Sequence, residues 1–120
     1  MTQTSEWLEA YVRAWETKAE GDIRAIFTDD AEYWFRPNDA EPVRGIDAMI
    51  ESWREPEPTE PVHDLAVLIE NDELGIIKGT VSYPGHADYT NLWEVWFASD
   101  GRARKFVEWW MLPREMQPGV

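Results

Sequence analysis

YTNLWEVWFASDGRARKFVEWWML, residues Tyr89–Leu112, reads as two strands joined by a tight turn. Ser99-Asp100-Gly101 supplies the turn, because Asp-Gly accepts the backbone angles of a hairpin connection at low cost. Side chains alternate along a strand, so Asn91, Trp93, Val95 and Phe97 share one face of the first arm. On the second arm Phe106, Glu108 and Trp110 share a face, and Lys105, Val107 and Trp109 take the other. Polarity alone leaves open which of those two faces looks inward.

The β pattern extends upstream. Val62–Glu70 and Leu74–Tyr83 flank a turn at Asn71-Asp72-Glu73, and Pro84–Asp88 leads on to a strand at Tyr89–Phe97. His63, Leu65, Val67 and Ile69 share a face, as do Ile77, Gly79, Val81 and Tyr83. Gly79 either leaves open space there or marks a bulge. The last strand runs from about Arg102 to Leu112.

The amino-terminal half has helical spacing instead. Trp7, Tyr11 and Trp15 recur every four residues, with Leu8 and Val12 beside them, which predicts a helix over 5–19. Thr4 or Ser5 caps its start and Gly21 stops it. Asp22 then caps a short helix through Phe27, closed by Asp29-Asp30. A strand follows at Ala31–Arg36, and Ile46, Met49, Ile50 and Trp53 predict a third helix over 46–54. EPEPTEP (Glu55–Pro61) is a connecting loop, since that proline density suits neither helix nor central strand. Three helices and a long antiparallel meander give an α+β fold, the helices lying on one face of a curved sheet. One domain covers 1–120, with 114–120 a flexible tail.

Composition excludes several functions. The 120 residues hold 24 acidic and 11 basic side chains, a net charge of −13, with no basic cluster beyond Arg102, Arg104 and Lys105. Nucleic acid and anionic membrane are therefore not expected partners. No cysteine is present, which removes disulfides, thiolate metal sites and cysteine nucleophiles. Without a signal-peptide pattern or a long apolar run, the expected setting is the cytoplasm. Phosphate-binding glycine loops and nucleophile elbows are absent from the sequence. Eight Trp, four Tyr and four Phe exceed what packing asks of so short a chain, and fit an aromatic-walled cavity, a dimer interface, or both.

The order of these elements resembles the nuclear transport factor 2-like superfamily, in its SnoaL-like (polyketide cyclase-like) branch. The resemblance is carried by Gly21-Asp22 through Phe27-Thr28-Asp29-Asp30-Ala31, and by Val43-Arg44-Gly45-Ile46-Asp47-Ala48-Met49. It continues in Tyr89-Thr90-Asn91-Leu92-Trp93 and in Asp100-Gly101-Arg102 through Phe106-Val107-Glu108-Trp109-Trp110. It implies a cone-shaped, curved antiparallel sheet with three N-terminal helices packed on its concave face, one pocket, and a homodimer formed through the sheet. It also implies isomerase, cyclase or dehydratase chemistry without a cofactor, or a non-catalytic binding domain. Against ketosteroid isomerase, the general-base aspartate position falls on Phe35 or Arg36, and the two oxyanion-stabilising acids fall on Ala14 and Trp93. A cyclase-type aspartate position falls on about Met111. None of those groups is present here.

The resemblance turns Phe106, Glu108 and Trp110 toward the pocket. A carboxyl among indole rings loses hydration, and its pKa then rises toward neutrality, which suits a general acid or base. The plain alternative is a surface glutamate paired with Arg104 or Lys78. Asn91 can hold a substrate carbonyl or orient Glu108, and His63 can carry a proton if it meets either. Trp15, Tyr33, Phe35, Trp93, Phe106 and Trp110 are the expected walls for a small hydrophobic or polycyclic ligand. Arg36 either binds an anionic group at the rim or forms a salt bridge. His63-Asp64 and His86-Asp88 do not make a convergent metal set, so neither metal nor cofactor is expected.

Overall fold

The computed structural model describes residues 2–113, so the proposed tail at 114–120 lies outside the described residues. The elements are α1 (Gln3–Thr17), α2 (Glu20–Ile26), β1 (Phe27–Trp34), β2 (Val43–Arg44), α3 (Ile46–Trp53), β3 (Val62–Glu70), β4 (Leu74–Tyr83), β5 (Ala87–Phe97) and β6 (Ala103–Met111). The strands form one curved, unclosed sheet in the order β2-β1-β6-β5-β4-β3.

The α+β class and the helix-covered sheet are as the sequence predicts, but the sheet is mixed. β1 runs parallel to β6, with Tyr33 opposite Phe106 and Trp34 opposite Val107. Hairpin signals define only sequential antiparallel neighbours, and this pairing joins strands far apart in sequence. The two-residue β2, antiparallel to β1, carries no period-two signal and escapes notice for that reason.

Helix ends also differ. Thr2, rather than Thr4 or Ser5, caps α1: its hydroxyl accepts from the Ser5 N–H at 3.2 Å, while Ser5 Oγ accepts from the Thr2 N–H at 2.9 Å. Thr4 is buried beneath the sheet instead, in the space that a side chain at Gly75 would occupy. Lys18 takes the left-handed conformation that ends α1, with φ 56°, and Gly21 lies within α2. Asp29 and Asp30 sit inside β1, which begins directly after α2.

One core joins the layers. Trp7, Tyr11 and Ala14 from α1 and Met49, Ile50 and Trp53 from α3 pack on Ile77, Trp93, Val95 and Phe106 of the sheet. Phe106 is fully buried and stacks on Tyr33 (ring centroids 4.7 Å) and Tyr11 (5.5 Å). It is therefore core, a correction to its expected place in the pocket wall. Gly79 leaves no open space either. A Cβ there would stand 1.9 Å from the Asp64 carbonyl oxygen, so the glycine lets β3 and β4 approach where the sheet bends.

Candidate active site

Between α1, α3 and the inner faces of β4–β6 lies a cavity of about 310 Å³. Strand register assembles its floor. Asn91 stands opposite Trp110 and Trp93 opposite Glu108, all on the face turned to the helices. Tyr33 from β1 and Phe35 just beyond it close one side, and Trp15 of α1 and Trp53 of α3 close others. The rim at Phe35 is fixed by the Trp110 indole N–H, which donates to the Phe35 carbonyl at 3.0 Å.

Glu108 is the carboxylate in the middle of this surface. Tyr33 Oη donates to its Oε1 at 3.3 Å, and the Tyr33 and Tyr11 hydroxyls meet at 3.0 Å, so a chain of three oxygens runs from α1 to β6. Burial raises the Glu108 pKa from an ordinary 4.5 to about 7, against the smaller lowering effect of the Tyr33 hydrogen bond. Burial also raises both tyrosines well above their usual range, which keeps them neutral donors. The surface pairing with Arg104 does not occur, since Arg104 lies over the Trp96 ring on the opposite face of the sheet.

Asn91 is 5 % exposed, and its Nδ2 is buried with no hydrogen-bond partner. Trp93 Nε1 is in the same condition. Two unspent donors on the strand beside Glu108 leave the wall short of acceptors, which a ligand oxygen seated there would supply.

The expected residues divide as follows. Trp15, Tyr33, Phe35, Asn91, Trp93, Glu108 and Trp110 converge on the cavity. His63 does not reach Glu108: it stacks on Trp15 (centroids 5.5 Å, planes at 24°) and lines a second cavity. Arg36 is exposed, its guanidinium 5.3 Å from the centre of the Trp110 ring, and among the described residues it forms no ion pair. His86 is exposed in the turn before β5.

Sequence reasoning missed the side of the site formed by α3 and the loop after it. Trp53 was legible as the inner face of a helix, and Tyr83 as an inward strand residue. Glu57 had no signal, because the EPEPTEP loop has no periodicity. Its Oε1 accepts from the Trp15 indole at 2.9 Å and from Lys18 Nζ at 3.1 Å, and Lys18 also lies 5.6 Å above the Trp53 ring. Tyr83 has a raised pKa, first from burial and then from the nearby Glu57 charge. Among the described residues no group of three or more metal-ligating side chains converges, and no helix is long and apolar enough to cross a membrane.

A helix-lidded, curved mixed sheet around one aromatic cavity with an inward carboxylate defines a class of pocket-bearing α+β domains. Residues 8–109 match the SnoaL-like domain, and the chain belongs to that family. Solved structures share the fold. A candidate ketosteroid isomerase from Kribbella flavida is 18% identical, with 98% of this chain and 84% of that one covered and a TM-score of 0.74. A candidate polyketide cyclase from Sinorhizobium meliloti is 16% identical over 91% of this chain and 100% of that one, TM-score 0.68. A nuclear transport factor 2-like protein of unknown function from Burkholderia pseudomallei is 18% identical over 92% of each chain, TM-score 0.71. At such identities the likeness concerns the fold. No curated protein matches the chain.

Proposed function

We propose that this protein is a cofactor-independent acid/base enzyme of the isomerase, cyclase or dehydratase type, acting on a small hydrophobic or polycyclic molecule. The observation that carries the reading is Glu108: a carboxylate among rings, held by Tyr33, with a pKa of about 7. A group poised near the working pH both takes and returns a proton efficiently. For a β,γ-unsaturated carbonyl substrate, the Glu108 carboxylate removes a proton from the carbon beside the carbonyl, and the C–H electron pair moves into a dienolate whose charge spreads from the oxygen to the γ-carbon. The Asn91 amide N–H holds the enolate oxygen. Glu108 then returns the same proton to a different carbon, which gives the isomer and restores the carboxylate.

The test has two parts. Intrinsic Trp fluorescence of the parent should show a transition centred near pH 7, absent in Glu108→Gln. In deuterium oxide, the parent should speed deuterium uptake by β-tetralone at the carbons beside its carbonyl, and Glu108→Gln should not. A flat titration and no uptake overturn the assignment.

A second reading, a non-catalytic binding domain of the same fold, is favoured by one observation. The positions that resemble the isomerase oxyanion acids hold Ala14 and Trp93, both buried in the core. Binding of β-tetralone without deuterium uptake selects it.

A further inference from the structure

The second cavity, about 360 Å³, lies where the C-terminal end of α1 faces the loop before β3. It shares Trp15, Lys18 and Glu57 with the aromatic cavity, so these three side chains form a partition with a chamber on each side. The partition is tied together at one atom, Glu57 Oε1, which accepts from both Trp15 and Lys18. Lys18 leans toward the first chamber, over Trp53, and its backbone is the one non-glycine residue with positive φ among the described residues. A left-handed lysine at a helix end costs stability, and here it directs the ammonium onto the partition.

The second chamber holds two buried polar atoms without partners. Glu57 Oε2 and Thr59 Oγ1, both in its lining, are buried without hydrogen-bond partners. From the first chamber the Tyr83 hydroxyl approaches Glu57, whose charge and weak hydrogen bond add to burial in raising its pKa, so Oε2 keeps capacity for a stronger donor. Glu16 and Glu60 add further negative charge, and the stacked Trp15–His63 pair offers a flat aromatic wall. An unpaired buried acceptor beside a carboxylate-rich, ring-walled space recognises a donor with positive charge. The first chamber differs in holding unspent N–H groups, on Asn91 and Trp93.

We infer that the second cavity is a subsite for a protonated amine, and that the full ligand is an elongated molecule with a hydrophobic, acceptor-bearing body in the aromatic chamber and an amine reaching Glu57 and Thr59. The inference rests on the reading of the aromatic chamber as a ligand site.

Naphthylethylamine and its neutral N-acetyl derivative test it by calorimetry on the whole protein, at neutral pH and moderate salt. The amine should bind about tenfold more tightly than the neutral probe. Glu57→Gln should abolish the preference. Thr59→Val should reduce it, which keeps the test decisive if Glu57→Gln fails to fold. Glu41→Gln, the same charge change at an exposed site away from both cavities, should preserve it. Equal binding of the two probes by the parent, or a preference that survives the Glu57 and Thr59 variants, overturns the subsite alone. Failure of both probes to bind the parent overturns the subsite together with the reading of the aromatic chamber.

Discussion

At the scale of the residue, Glu108 sets the pH behaviour. Its pKa of about 7 against an ordinary 4.5 means that the folded protein keeps a proton which the unfolded chain has released between those values. Stability contributed through this group is therefore full below pH 4.5, falls as pH rises, and is lost above about 7. The loss is at most about 3.5 kcal/mol, because each pKa unit is worth about 1.4 kcal/mol. Glu108→Gln mimics the protonated form. In urea unfolding it should match the parent in mild acid and exceed it by up to that amount at alkaline pH. Tyr33→Phe acts on the same equilibrium in a chosen direction. It removes the hydrogen bond that lowers the Glu108 pKa, so the fluorescence midpoint should move above about 7. A midpoint that moves down would show that the phenol does not stabilise the carboxylate.

At the scale of the element, Gly79 governs how β3 meets β4. Gly79→Ala places a methyl against the Asp64 carbonyl and the Leu65 backbone, neither of which is a flexible side-chain end. The two strands must separate, at a cost of about 1–3 kcal/mol, which a thermal melt reads as a lowered midpoint. Retained stability would mean the bend relaxes freely. Period-two patterning located β3 and β4 to the residue and grouped Asn91 with Trp93 and Glu108 with Trp110, but alternation did not say which face of β6 looks inward. The family resemblance turned Glu108 and Trp110 toward the pocket, where the structure has them. Patterning could not reach contacts made across the chain. The parallel β1–β6 pairing, the Tyr11–Tyr33–Glu108 chain and the Glu57 partition each join segments distant in sequence, which no local period encodes. Phe106 was misplaced because alternation gives a face but not a depth. It lies far enough along β6 for α1 to cover it, whereas Glu108, two residues on, opens to the cavity.

At the scale of the whole molecule, the outer face of the sheet is the second place where rings accumulate. Trp34 donates to Glu32, and Trp96 and Trp109 both donate to Glu94, so the indole N–H groups are satisfied. Lys105 lies over the Trp34 ring and Arg104 over the Trp96 ring, while the Trp109 ring is left exposed. Trp109 is 47 % exposed and Met111 64 %. Covering this face with a second copy gives a homodimer, and sedimentation velocity should return twice the chain mass of 14.0 kDa. Trp109→Glu should return the single-chain mass and leave binding of the neutral naphthyl probe unchanged. A single-chain mass for the parent at every dilution would rule the dimer out. The mixed sheet also orders events during synthesis. β1 leaves the ribosome well before the neighbour that completes it, residues 103–111. Until then Tyr33, Trp7 and Tyr11 wait without Phe106, the ring on which they stack. Aromatic surface on these elements thus stays bared until β6 docks, and the cavity closes only then.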